Sequence, residues 1–322
     1  MAIVNKDLIQ SYIMTTAKYD FNVYEKRVIY RLVEMAQSEI QGIKFSENCQ
    51  KINHDLWGCV DITLPVADLL NGETDENYSR IKAALISLSK KSFEYEDDDI
   101  WQNISIIAFP TIMKRSSVLS FKIHPRVWDC ILNFSKGYRK YELKAAMSFK
   151  SQYSMRFYEL MSGQKRPLIY TVEQLKDMFC VSDKYTRIND FIRKVIEAAK
   201  KELNEVSPYT FEYTTLKEGR KITAIKFYPV YQPEHRDSDL EKHDLQKQVS
   251  LSWSLSSEVR NYLKKSLEFS DKELKNNLDL FISAQNLLPD LMRELALLKG
   301  KAREKKNPKG YIINSIKGKL KD

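Results

Sequence analysis

In this 322-residue chain the side chains best spaced to do chemistry lie between Asp183 and Leu203, and their chemistry is non-covalent. Ile188, Phe191, Ile192, Val195, Ala199 and Leu203 recur at three- and four-residue spacing, which predicts one helix with an apolar stripe turned to a core. Its other sides carry Lys184, Tyr185, Arg187, Asn189, Arg193, Lys194, Lys200 and Lys201. A helix fits the major groove of B-form DNA, where Arg pairs with guanine O6 and N7 and Asn with adenine N6 and N7. Arg187 and Arg193 are therefore candidates for guanine edges and Asn189 for adenine, while Lys184, Tyr185 and Lys194 suit phosphates and Lys200 and Lys201 extend the basic face. A solvated helix face is the other reading of the same charges. Context favours DNA: a short helix precedes, opened by the capping-box pair Thr171 and Gln174, and a hairpin follows, with Lys217, Arg220 and Lys221 around its tip as a wing on the phosphate backbone.

Other chemistries lack their residues. The four histidines, His54, His124, His235 and His243, are far apart, so there is no His-x-His cluster for a nicking tyrosine to work beside, and no G-x-x-x-x-G-K-[ST] loop for a nucleotide. The 18 tyrosines suit cores and interfaces, and no enzymatic activity is expected. Cys49, His54 and Cys59 lack a fourth ligand, and Cys130 and Cys180 stand apart, so neither a metal nor a cofactor is expected. The N-terminus resembles neither a signal nor a membrane span, and the scattered cysteines include no C-x-x-C pair, which points to a reducing cytoplasm and no membrane partner. Lys and Arg number 52 against 43 Asp and Glu, a net +9 that suits a polyanionic partner. The excess is concentrated in two patches: 14 basic against 7 acidic residues from Arg139 to Lys201, and 10 against 3 from Arg293 to Asp322.

The elements that must hold these residues read as an α+β chain of two like units and a helical extension, with boundaries at 1–135, 136–231 and 232–322. In the first unit an amphipathic helix is predicted over Asn22–Ser38, with Lys26, Arg27 and Arg31 mostly off its apolar face. A strand over Asp61–Leu64, a short helix over Pro65–Leu70 and a longer one over Asp75–Lys91 follow. The last is the unit's candidate reader, with Arg80, Lys82, Lys90 and Lys91 as contacts. Then come a hairpin with an added strand, Phe93–Glu96, Trp101–Ile107 and Val118–Ile123, and a helix opened by Pro125. The acidic run Asp97–Asp99 argues against that hairpin lying on phosphate, and the aromatic strand Trp101–Ile107 suggests a dimer edge, although ordinary core packing accounts for any one of its residues. The second unit repeats the order, with a helix beginning near Tyr141, a hairpin turning at Glu218-Gly219, and then a polar linker over Gln232–Gln248.

The segments YDFNVYEKRVIYR at Tyr19–Arg31, SQYSMRFYELM at Ser151–Met161, and YTVEQLKDMFCV followed by RINDFIRKVI within Thr171–Leu203 resemble the initiator replication proteins of theta-replicating plasmids. The resemblance spans roughly Leu8 to Pro229 and implies tandem winged-helix domains. It further implies a monomer bound to direct origin repeats on double-stranded DNA, in exchange with a homodimer that represses its own promoter at an inverted-repeat operator. The second domain would then be the main reader, with Lys184, Arg187, Arg193 and Lys194 at the DNA surface, and Trp101–Ile107 would lie near the subunit contact. Host helicase or initiator proteins are the implied further partners. A winged-helix transcriptional repressor without a replication role is the alternative. From His235 onward the chain departs from short-tailed members, and Lys299–Lys321 reads as a contact for protein or DNA on an ordered helical element, the other reading being a solubilising helical appendage that packs on the core.

Overall fold

The structure is a computed structural model that describes residues 5–41, 49–53, 59–70, 78–96, 101–134, 137–249, 255–303 and 305–320. His54, Asp75 and the acidic run Asp97–Asp99 lie outside these residues.

After β1 (Asp7–Ser11) and the short α1 (Tyr12–Thr16), the first unit is built around α2 (Val23–Gln41). Val28, Ile29, Leu32, Val33, Met35 and Ala36 are all buried, so this helix is covered on several sides rather than on one stripe. Its cations are covered too, contrary to the amphipathic expectation. Lys26 is fully buried against Glu159, Arg27 donates to the Leu69 carbonyl, and Arg31 donates to the Asp68 carbonyl and Glu34. Each buried charge is retained because a carbonyl or carboxylate meets it.

Then follow β2 (Gln50–Asn53), β3 (Val60–Pro65), α3 (Ala67–Leu70), α4 (Tyr78–Lys90), β4 (Ser92–Glu96), β5 (Trp101–Ser105), β6 (Ala108–Met113), β7 (Val118–Ile123) and α5 (Pro125–Leu132). The hairpin with an added strand is not what forms. β4 and β5 make a two-stranded ribbon of their own, while β7 lies between β3 and β6 in a sheet ordered β2-β3-β7-β6. In register, Ile62 faces Phe121 and Leu64 faces Leu119, so Leu119, Phe121 and Ile123 point inward with a clean period of two. The helix opened by Pro125 forms over the expected residues, and the His124 side chain caps it by accepting from the Arg126 N–H.

Around Tyr141 the structure differs again. Tyr138–Glu142 is a strand, β8, antiparallel to β1, and the helix α6 (Leu143–Ser148) begins only after it. Tyr141 is buried in that pairing, and its hydroxyl donates to Gln10. The partner strand lies some 130 residues earlier, so no local pattern announces it. The pairing also ties the chain's first strand across the expected boundary at 135.

The second unit continues with α7 (Gln152–Met161), buried from Ser154 to Met161, then β9 (Leu168–Thr171), α8 (Val172–Met178), a turn, and one helix made of α9 (Ile188–Phe191), a π-helical turn over Ile192–Glu197, and α10 (Ala198–Val206). A long hairpin, β10 (Tyr209–Glu218) and β11 (Lys221–Tyr231), completes a sheet ordered β10-β11-β9. Gly219, at φ +61°, lets the chain reverse at the tip. Phe157 holds the layers together, its ring lying 4.9–5.5 Å from those of Phe179, Phe211 and Phe227.

The expected polar linker is built into the fold. Arg236, just beyond a 3-10 turn at Pro233–His235, donates to Asp7 at 2.8 and 2.9 Å, to Glu142 at 2.8 Å and to Asp244 at 2.8 Å. Asp244 belongs to α11 (Ser238–Val249), which also offers it to Lys140 at 2.7 Å. Carboxylates from β1, β8 and α11 thus converge on one covered guanidinium, which explains why a charge-rich segment is ordered. The last helices, α12 (Ser257–Lys265), α13 (Asp271–Asn276), α14 (Leu278–Leu287), α15 (Leu291–Ala302) and α16 (Pro308–Lys319), enclose a second core. That core includes Phe134, with Ile9 and Tyr138 packed against it.

Candidate nucleic-acid interface

In the second unit the helix starts at Ile188, not at Asp183, and the reason is Tyr185. Its ring packs toward Phe191 with centroids 6.2 Å apart and only 8% of the residue exposed, while its carbonyl accepts from Lys176 at 2.5 Å. The expectation that places Tyr185 on phosphate is therefore not met; the side chain anchors the turn. Lys184 and Arg187 are consequently presented from the turn that enters the helix, with Arg187 at the capping position. Phe191, Val195, Ile196, Ala199 and Leu203 are fully buried. The adjacent pair Val195 and Ile196 is buried within the π-helical turn, a distortion that recurs at functional sites.

The outward side is basic. Lys184, Arg187, Asn189, Arg193, Lys194 and Lys201 are all exposed, and Arg193 rests on Asp190 at 3.0 Å, one turn back. Lys200 is different: half-buried, it binds Glu212 of β10 at 2.6 Å, joining the helix to the hairpin rather than standing free. Before the helix the capping box is complete, since Thr171 Oγ1 accepts from the Gln174 N–H at 3.0 Å and Gln174 Oε1 accepts from the Thr171 N–H at 2.9 Å. After it, Lys217, Arg220 and Lys221 are exposed around the tip of β10 and β11.

In the first unit α4 buries Ile81, Ala84, Leu85 and Leu88 and exposes Arg80, Lys82 and Lys90. Arg80 reaches back to the Tyr24 hydroxyl at 3.1 Å. Lys91 does not belong with them. It lies beyond the helix, half-buried, donating to Glu25 at 2.8 Å and to Asp20 at 2.9 Å. Burial opposes its charge, but Glu25 and Asp20 outweigh that and raise its pKa, so it serves as an internal bridge.

Besides β5, which also touches α4, the hairpin β6–β7 lies against that helix; its turn Lys114-Arg115-Ser116-Ser117 is mostly exposed and carries Ser117 at φ +51°. Tyr78 Oη, at the start of α4, lies 2.7 Å from Ser117 Oγ, which fixes the hairpin against the helix. Between them runs a groove of about 770 Å³ with Lys82 on one wall, Lys114 on the other and the Ser79 and Ser117 side chains beside them. Lys114 and Arg115 escaped the sequence reading. The available signal was a Lys-Arg-Ser-Ser turn between two runs of strand-forming residues. Each unit thus presents a helix with a basic hairpin beside it, an arrangement that can seat a helix in a groove and lay a hairpin along the phosphates.

Among the described residues no group of three or more His, Cys, Asp or Glu side chains could hold a metal ion, and no helix is long and apolar enough to cross a membrane. A family model described as "Initiator Replication protein, WH1" matches residues 7–162, and one described as "Initiator Rep protein, WH2" matches residues 171–229. Together the two span about two thirds of the chain. Among solved structures, the Pi initiator protein in complex with iteron DNA is similar in fold, with a TM-score of 0.54 at 18% sequence identity, over 70% of this chain and 97% of that one.

Proposed function

The chain belongs to the initiator replication protein family, and from that premise we propose that it starts replication of a plasmid by binding repeated sites in duplex DNA at the origin, with its second winged helix as the main reader. The observation that carries this is the exposed row Lys184, Arg187, Asn189, Arg193, Lys194 and Lys201 beside the basic tip at Lys217, Arg220 and Lys221. Between Asp183 and Lys201 six cations stand against three acids, Asp183, Asp190 and Glu197, so the row keeps a positive excess to set against phosphates. The first winged helix adds α4, through Arg80, Lys82 and Lys90, and the Lys114-Arg115 tip. Iteron DNA on the similar Pi initiator agrees with the same class of ligand here. The activity is one of binding rather than catalysis, and its compartment is the bacterial cytoplasm.

A homodimer in exchange with the monomer represses the promoter of the protein's own gene in this reading. β5 supports it: among the described strands it pairs with β4 alone, and Trp101 is 59% exposed on it. A host helicase or initiator protein is the further partner.

Footprinting on DNA flanking the gene, joined to a plasmid-maintenance assay, tests the function. Protected tandem repeats and loss of the plasmid without the protein are expected. A protected operator with unaffected maintenance would instead make the chain a repressor alone. Sedimentation across a concentration series tests the exchange, and one unchanging species would overturn it.

A further inference from the structure

The family match ends at residue 229, so it assigns nothing to the helices beyond. Within them, α15 and α16 form an antiparallel hairpin, since Lys319 near the end of α16 pairs with Glu294 near the start of α15. Leu291, Leu295, Leu298, Ala302, Ile312 and Ile316 face the second core. The opposite side is of one sign. From Lys299 to Leu320 the sequence holds eight Lys and Arg against one acid, Glu304. Lys299, Lys301, Arg303, Lys305, Lys306 and Lys317 are exposed and meet no acidic partner among the described residues. Other cations of the unit are paired: Lys264 with Asp271, and Lys309 and Lys319 of α16 with Glu273 and Glu294. A face whose only task was solubility would gain from the same mixing, because like charges repel.

A second observation is independent of charge. Each helix interrupts itself with glycine inside a repeated triplet, Lys299-Gly300-Lys301 in α15 and Lys317-Gly318-Lys319 in α16. A Cβ at either glycine would meet nothing within 4 Å, so neither is required by packing, by capping or by a left-handed backbone. Glycine inside a helix weakens it relative to alanine, and one thing it leaves open is close approach of another backbone. Being at the C-terminal ends of antiparallel helices, the triplets lie at opposite ends of a hairpin about 18 Å long at 1.5 Å per residue.

From these two observations we infer that the outer face of α15 and α16 is a third nucleic-acid contact, gripping the phosphate backbone of duplex DNA without reading its bases. The lysines of each triplet flank a bare stretch of helix on which a sugar-phosphate strand can lie, and the turn cations Arg303, Lys305 and Lys306 extend the grip at one end. The inference rests on the reading of the chain as a duplex-binding protein.

Binding of the full chain to a random-sequence duplex, measured across a salt series, tests it. The variant Lys299→Gln/Lys301→Gln/Lys317→Gln should lower the slope of log K against log salt by about two to three, roughly 0.9 for each phosphate that is no longer neutralised, and should weaken origin and random DNA by the same factor. A second variant, Gly300→Leu/Gly318→Leu, keeps every charge and improves helix propensity, yet should also weaken random-duplex binding by blocking the approach. An unchanged slope in the first variant, or unchanged affinity in the second, would overturn the inference. Arg193→Ala, run beside them, separates the readings: its effect falls on origin DNA, and lost origin selectivity there with no effect of the triplet variants leaves the proposed function standing alone.

Discussion

At the scale of single residues, exposure and pairing divide the cations into those able to meet DNA and those already engaged. Arg193 is exposed and, among the described residues, is held by Asp190 on the same helix, a surface ion pair of little strength that a guanine edge can replace. Arg193→Ala should therefore cost about 1–3 kcal/mol on the cognate site and relax its sequence choice, while Lys201→Ala should weaken all duplexes alike and lower the salt slope by about one. Titrations on cognate and scrambled DNA decide this, and equal small losses on both for both variants would remove the helix from the groove. Lys26 is the opposite case. It is fully buried with Glu159 as its ion-pair partner and donates to the Tyr19 hydroxyl at 2.8 Å. Lys26→Met strands a covered carboxylate, so chemical denaturation should show a loss of about 3–5 kcal/mol, most of it recovered in the double variant Lys26→Met/Glu159→Leu. No recovery would mean that the lysine's stem, not its charge, holds the two units together.

At the scale of elements, the helix of the second unit is positioned at both ends by side chains that leave its face free: Tyr185 pins the entry, and Lys200 bridges to Glu212 on the hairpin. In the first unit the Tyr78–Ser117 contact sets a wing of two cations beside α4. If Lys114 and Arg115 lie on phosphate, Lys114→Gln/Arg115→Gln should lower the salt slope by about two without changing which site is preferred. An altered site preference would place this turn at base edges instead. Elements carried by local chemistry were legible: the helix opened by Pro125, the capping box of Thr171 and Gln174, and the turn at Gly219 each follow from a residue or two. β8 was not, because its partner β1 is far away in sequence and Tyr138–Glu142 reads equally well as the start of a helix. The first wing was missed for a related reason. β4 and β5 form the more conspicuous hairpin, and only the pairing of β7 with both β3 and β6 reveals the second ribbon that lies against the reader. The candidate face of the second unit was largely legible because its apolar stripe left only one side for its charges; the departures, Tyr185 and Lys200 here and Lys91 in the first unit, are side chains drawn inward by tertiary partners that a helical period does not reveal.

At the scale of the whole molecule, one guanidinium joins what the sequence divides. Arg236 gathers Asp7 from the first strand, Glu142 from β8 and Asp244 from α11, and only 7% of its side chain is exposed. Burial alone would push the Asp7 carboxyl upward, but Arg236 and Lys140 outweigh it and hold the pKa below the ordinary carboxylate range, while the same acids raise the pKa of Arg236. A carboxyl whose folded pKa is depressed stabilises the fold above its unfolded value of 3.8, and that contribution is lost as pH falls through the folded value. The junction between the first strand, the second unit and the helical extension should therefore loosen below about pH 4, as Asp7 takes up its proton, before the apolar cores fail. Arg236→Ala should reproduce that loosening at neutral pH. It leaves three acids together with Lys140 as the remaining cation of the cluster, a loss of about 3–5 kcal/mol by analogy with other broken buried pairs. Because the second core has its own set of buried side chains, the loss should appear as a separated early transition in α12–α16 rather than as global unfolding. Hydrogen exchange monitored by mass spectrometry resolves the two. Faster exchange confined to the extension and to β1–β8 is expected, and acceleration spread evenly through α7, α10 and β11 would show that Arg236 stabilises the molecule as one unit.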